Sequence, residues 1–133
     1  MNLIAQRVLS SSLYIEKKKI VSIDRGILAL VGFEKGDTSS DCKIIADKLL
    51  NYRIFPDEKG RMENSVIDIK GDLLLVPEVT LALETRKGTR PSFSEAASPD
   101  LGKLLFDELS NKLRETHDKL EVGIFGADME IKL

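Results

Sequence analysis

The chain has 133 residues, 42% of them hydrophobic, and a formal net charge of −2. That length suits one domain with a real core, and so short a domain often gains from pairing with a second copy. The acidic balance excludes broad electrostatic capture of nucleic acid but leaves room for a local basic patch. One cysteine, Cys42, excludes an intrachain disulfide and suits a reducing compartment. The apolar start is broken by Gln6 and Arg7, so it reads as neither a signal peptide nor a membrane span, and the expected location is the cytoplasm.

The segment from Leu3 to Phe33 reads as strands. Leu13 and Ile15 alternate with polar neighbours, and Ile27 to Val31 is a continuous apolar run, as expected of a strand buried on both faces. Asp24-Arg25-Gly26 is a turn before it. Thr38 followed by Asp41 has capping-box spacing, and Cys42, Ile45, Leu49 and Tyr52 then form one apolar helical face. Tyr52 to Phe55 returns to strand, and Pro56 to Gly60 is a turn. Asp72 to Leu83 is another strand region with Leu73 to Val76 as its buried part, interrupted by Pro77. Thr85 to Ser98, rich in Gly, Pro, Ser and basic residues, is a loop. A second helix starts at Ser98-Pro99 with Leu101, Leu105, Leu109 and Leu113 as its apolar face. Leu120, Val122 and Ile124 alternate as a strand, and Met129, Ile131 and Leu133 repeat the pattern. The sum is an α+β domain, mostly antiparallel sheet with two helices.

The usual catalytic clusters are nearly absent. His117 has no recognisable partner and reads as an exposed residue at a helix end. Cys42 lies on an apolar helical face, which favours inert packing over nucleophilic chemistry. No Cys or His pair has metal-ligand spacing, and no Gly-rich loop has a phosphate-binding pattern. The unusual segment is Leu81 to Ser94. It sets Arg86, Lys87 and Arg90 around Gly88, next to Phe93. Cations of this kind can hold phosphates and a ring can stack on a base, although from this segment alone a solvated basic turn is the better account of the composition. Thr80 in a strand is an ordinary β-former, and Phe125 to Met129 is a tight turn whose small residues would let a ligand approach the backbone.

Several phrases, taken in order, resemble the D-aminoacyl-tRNA deacylase family, also called D-tyrosyl-tRNA deacylases. They are Ala5-Gln6-Arg7-Val8, Gly32 to Thr38, Arg53-Ile54-Phe55, Gly71 to Val76, Thr85 to Phe93, and Gly123 to Met129. The likeness spans the whole chain. It implies a homodimer of compact, barrel-like α+β subunits with active sites at the interface. The implied reaction is hydrolysis of the ester joining a D-amino acid to the terminal adenosine of tRNA, without metal or cofactor. Backbone N–H groups and the substrate's own ribose hydroxyl would do most of the work. One oxyanion donor is worth about 10²–10³-fold in rate.

By resemblance, Thr80 matches the threonine of a Ser-Gln-x-Thr motif, and the backbone of Val79 and Thr80 faces the scissile carbonyl. Phe125, Gly126, Ala127 and Met129 wall the adenosine pocket, with Phe93 as a further substrate contact. Arg7 resembles a residue that steadies a loop of the other subunit. Independently of the resemblance, the basic loop suggests Arg86, Lys87 and Arg90 as contacts for acceptor-stem phosphates. The family's Ser-Gln pair is here Pro77-Glu78. Proline removes an N–H, and Glu78 exchanges two donors for a negative charge. That should slow the reaction unless Glu78 is protonated, turned away or used as a base. The family also has an Asn-x-Gly-Pro-Val-Thr segment whose Gly-Pro excludes L-amino acids. The sequence stops at Leu133, so the expectation is one domain over residues 1–133 without that segment, poorly selective between D- and L-substrates. A second reading is a homologue that binds tRNA 3′ ends without turnover; a third is a non-enzymatic dimeric module.

Overall fold

A computed structural model describes residues 1–133. In chain order the strands and helices are β1 (Asn2–Val8), β2 (Ser11–Ile15), β3 (Lys18–Ile23), β4 (Gly26–Gly32), α1 (Ser39–Asn51), β5 (Phe55–Pro56), β6 (Met62–Asn64) and β7 (Asp72–Pro77). A short 3-10 turn (Val79–Ala82), α2 (Pro99–Thr116), β8 (Leu120–Val122) and β9 (Glu130–Lys132) complete the chain.

The main sheet has the order β1-β4-β7-β8. β1 runs antiparallel to β4, whereas β4, β7 and β8 are mutually parallel. Each parallel step is bridged by a long crossover that contains a helix, the usual way of joining parallel strands. A second, antiparallel sheet has the order β3-β2-β9, and β5 and β6 form a small hairpin. The fold is therefore α+β, with antiparallel pairs predominating.

The layers follow from which faces are apolar. Ile27, Ala29, Val31, Leu73 and Leu75 point to one side of the main sheet. There they meet Cys42, Ala46, Leu49 and Leu50 of α1 and Leu105, Phe106, Leu109 and Leu113 of α2. Leu28, Leu74 and Val76 point to the other side and pack on Val8, Leu13 and Ile23, with Met129 and Ile131 against them. The central strands are thus buried on both faces, which is why Ile27 to Val31 reads as an unbroken apolar run.

Local signals hold at the helix ends. The Thr38 N–H donates to Asp41 Oδ2 at 2.8 Å in the expected capping box, and Ser98 Oγ accepts from the Leu101 N–H at 3.2 Å. Several details differ from the sequence reading. Tyr52 to Ile54 is irregular, and the strand expected there begins only at Phe55. Tyr52 caps α1 and is exposed, so the buried stripe shifts to Cys42, Ala46, Leu49 and Leu50. Ile124 is exposed beyond the end of β8. His117 is only 7% exposed, and its Nε2–H donates to the Gly71 carbonyl at 2.8 Å. The chain leaves α2 at His117 and turns the ring inward, tying the helix end to the start of β7.

Candidate active site

β7 and β8 are parallel, so both end at the same edge of the sheet, where open α/β sheets commonly hold ligands. A cleft of about 440 Å³ lies there. Its walls come from Val76 to Val79, from Phe125 to Met129 and Ile131, and from Ala97 and Pro99 at the start of α2.

Two backbone features make the cleft. β7 stops at Pro77, and the chain turns into the 3-10 segment instead of continuing as strand to Leu83. Gly32 permits this. A Cβ there would lie 2.7 Å from the Glu78 carbonyl oxygen and 2.9 Å from Leu81 Cβ, so any side chain on β4 would push the turn away. On the other wall Gly126 has φ +81, a conformation that glycine adopts freely, which lets Phe125 to Ala127 turn back tightly.

Thr80 is therefore in a 3-10 turn and not in a strand. It does not line the cleft, but it is coupled to a residue that does. Glu78 Oε1 accepts hydrogen bonds from the Thr80 N–H at 3.0 Å and from the Thr80 hydroxyl. The Glu78 N–H donates to the Val31 carbonyl at 2.7 Å. The Glu78 carboxylate thus caps its own turn while remaining in the cleft wall. Val79 is half exposed in the cleft wall.

Of the site residues named from the sequence, Glu78, Val79, Phe125, Gly126, Ala127 and Met129 come together in this one cleft. The others do not. Arg7 lies opposite Ile27 at the far end of the strands, where it donates to the Ile54 carbonyl at 2.9 Å. Phe93 is 58% exposed on its loop. Arg86 and Lys87 line a separate polar depression with Glu84, Ser92, Ser94 and Glu95. Hydrogen bonds from Arg86 hold the Glu84 carboxyl down at about 2, so much of the Arg86 charge is already paired.

The sequence reading missed Val76, Ala97, Pro99, Asp128 and Ile131 as wall residues. Asp128 sits inside the Phe125 to Met129 phrase, so that signal was present. Ala97 and Pro99 give none, because their place depends on how α2 docks. The cleft holds two carboxylates, Glu78 and Asp128. Pro99, at the first position of α2, brings the positive end of that helix to its border. No group of three or more His, Cys, Asp and Glu side chains has metal-holding geometry. Cys42 is fully buried, and burial together with Glu108 pushes its thiol up to about 11, which fits inert packing. A second groove of about 450 Å³ lies between β1 and α1, lined mainly by apolar residues including Leu3, Ile45 and Tyr52.

A family model described as D-Tyr-tRNA(Tyr) deacylase matches residues 4–133. The chain belongs to that family. A D-aminoacyl-tRNA deacylase of Teredinibacter turnerae (strain ATCC 39867 / T7901) is 50% identical over 133 residues, covering 100% of this chain and 92% of that protein. One of Marinomonas sp. (strain MWYL1) is 48% identical over 131 residues, covering 98% and 91%. Among solved structures, one titled c-Myc DNA Unwinding Element Binding Protein superposes with a TM-score of 0.94 at 31% identity, covering 98% of this chain and 89% of the other.

Proposed function

We propose that this chain hydrolyses the ester bond of D-aminoacyl-tRNA, releasing the D-amino acid and free tRNA. Family membership along nearly the whole chain carries the reading. The cleft supports it by gathering the Pro77 to Val79 and Phe125 to Met129 segments, which lie far apart in sequence.

In this reading Phe125, Gly126, Ala127 and Met129 wall the terminal adenosine. The scissile carbonyl rests against Val79, in the turn that Glu78 and Thr80 brace from behind the cleft wall. Water adds to that carbonyl, and backbone N–H groups take the developing oxyanion. The bond to the ribose oxygen then breaks, and a proton returns to that oxygen. A backbone site needs no perturbed acid or base, in keeping with the absence of histidine from the cleft. Pinning by Thr80 draws the Glu78 charge toward two donors and limits its penalty on the oxyanion.

The working unit in this reading is a homodimer in the cytoplasm. The outer edge of β1 has no strand partner, and Ile4 on it is 54% exposed. A free edge with apolar residues invites a second copy. Arg7 stands too far from its own cleft to serve it, so its assigned role would be exercised on the partner. Lys87 and Arg90 remain the freer cations for acceptor-stem phosphates. No helix is long and apolar enough to cross a membrane.

The test is release of labelled D-tyrosine from D-tyrosyl-tRNA by the purified chain, with Phe125→Ala and Thr80→Ala alongside. Phe125→Ala should mainly raise KM and Thr80→Ala mainly lower kcat. Variants equal to the parent protein would place the reaction elsewhere. Light scattering at micromolar concentration should give a dimer; a monomer would remove the interface role of Arg7.

A further inference from the structure

The β3-β2-β9 sheet carries a row of side chains that neither the core nor the cleft uses. Leu13 on β2 and Ile131 on β9 pack inward, so Tyr14, Glu130 and Lys132 lie on the outer face. The pairing of β2 with β3 shifts at this point. Leu13 is opposite Val21, but Tyr14 is opposite Lys19, leaving Ile20 as the extra residue of a β-bulge. Bulges re-aim side chains, and this one sets a lysine where regular pairing would set an isoleucine. The Lys132 ammonium lies 4.6 Å from the Tyr14 ring centroid and that of Lys19 lies 5.9 Å from it.

One aromatic ring thus holds two exposed cations, one from each neighbouring strand. Attraction to a ring face limits the motion of long lysine side chains, which lowers the entropy lost when an anion binds. The two ammoniums repel each other, and a polyanion crossing the row would relieve that. The only counter-charge in contact is Glu130, 3.5 Å from Lys132 in a pair whose side chains are both 62% exposed. Such pairs are weak and readily exchanged. Lys17 and Lys18 extend the positive charge toward the β2-β3 turn, with Glu16 as the one acid there. The row shares β9 with the cleft: Ile131, a wall residue, lies next to Lys132 on the opposite face of that strand.

We propose that Lys132, Tyr14 and Lys19 form a phosphate track for the RNA strand whose 3′ end enters the cleft. It is a second tRNA contact, separate from the terminal adenosine pocket and from the Arg86 to Arg90 loop, and it rests on the proposed substrate. It gives an acidic protein a local means of holding RNA where a basic surface overall is missing. Lysine contacts to phosphate read no sequence, so the track serves any tRNA.

The experiment compares D-tyrosyl-tRNA with the D-tyrosyl ester of adenosine, which lacks the strand. The proteins are the parent, a Lys19→Ala/Lys132→Ala double variant, Tyr14→Ala and Tyr14→Phe. The double variant should raise KM for the tRNA about tenfold at low salt and flatten its log–log salt dependence by roughly 1.4, two single-strand phosphates' worth. Its kcat, and both constants on the adenosine ester, should stay as in the parent. Tyr14→Phe keeps a ring for the lysines and should match the parent, whereas Tyr14→Ala should weaken tRNA binding. Equal KM values for double variant and parent on tRNA, or an equal rise on both substrates, would overturn the track. If the parent hydrolyses neither substrate, anisotropy with labelled uncharged tRNA decides. Weaker binding by the double variant upholds the track while the proposed reaction falls, and equal binding overturns the track.

Discussion

Replacing Gly102 by alanine separates the stability of the fold from the shape of the cleft. Gly102 is buried in the first turns of α2, and a Cβ there would lie 2.9 Å from Phe125 Cζ and 3.4 Å from Cε2. Ordinary carbon contact is at about 3.5–4.0 Å, so the ring must retreat by roughly 0.5–1 Å. Phe125 packs on Phe106 with ring centroids 6.3 Å apart. Loosening such a pair costs about 0.5–1.5 kcal/mol, while alanine in place of glycine inside a helix contributes about 1 kcal/mol in the opposite direction. The two effects nearly cancel, so Tm should move by no more than roughly 4 °C. The cleft wall still moves, and a displacement of about 1 Å beside a reacting group can cost as much as 10²-fold. Steady-state hydrolysis of D-tyrosyl-tRNA should show kcat/KM reduced by about 10- to 100-fold in a protein that melts almost normally. An unchanged kcat/KM would refute Phe125 as a wall of the substrate site. A large fall in Tm would refute the claim that the ring can yield.

Gly26→Ala should fail to fold, because its Cβ would lie 1.8 Å from the Asp72 carbonyl oxygen across the β4-β7 pair; soluble protein with a normal melt would contradict that pairing. Cys42 should resist a thiol reagent at pH 8 in the folded protein and react at once in denaturant, since its thiol is pushed up to about 11 and buried; fast native labelling would place it at the surface. Hydrogen bonds from Thr38 hold the Asp41 carboxyl below its ordinary 3.8. Its contribution is therefore complete above the unfolded value and is lost as pH falls through the lower, folded one. The Tm difference between the parent and Asp41→Asn should be largest near neutral pH and vanish in strong acid, and a difference independent of pH would deny the capping role. His117→Ala should cost about 2 kcal/mol in urea unfolding, because a buried hydrogen bond to Gly71 is lost, and should leave kcat unaltered.

What the sequence made legible was local. The apolar run of β4, the capping box at Thr38 and the leucine face of α2 each depend on near neighbours, and each stands as read. Asp72 to Leu83 was harder. Pro77 marks an interruption, but nothing within the segment says that the chain turns there instead of resuming as strand, because that turn needs the missing side chain of Gly32 on another strand. The inward turn of His117 likewise depends on a carbonyl 46 residues away. The candidate site divides the same way. Phe125 to Met129 stands out as a phrase, but its meeting with Pro77 to Val79 follows from β7 and β8 being parallel, which periodicity does not encode. Thr80 drew attention by its motif, whereas the side chain that reaches the cleft is its partner Glu78.

The most direct measurement of the central claim is the time course of D-tyrosine release from D-tyrosyl-tRNA by the intact chain, with circular dichroism establishing that parent and Phe125→Ala proteins are equally folded. The account predicts release well above the buffer rate for the parent and a clear loss for Phe125→Ala. Release at the buffer rate by a fully folded parent protein would contradict it.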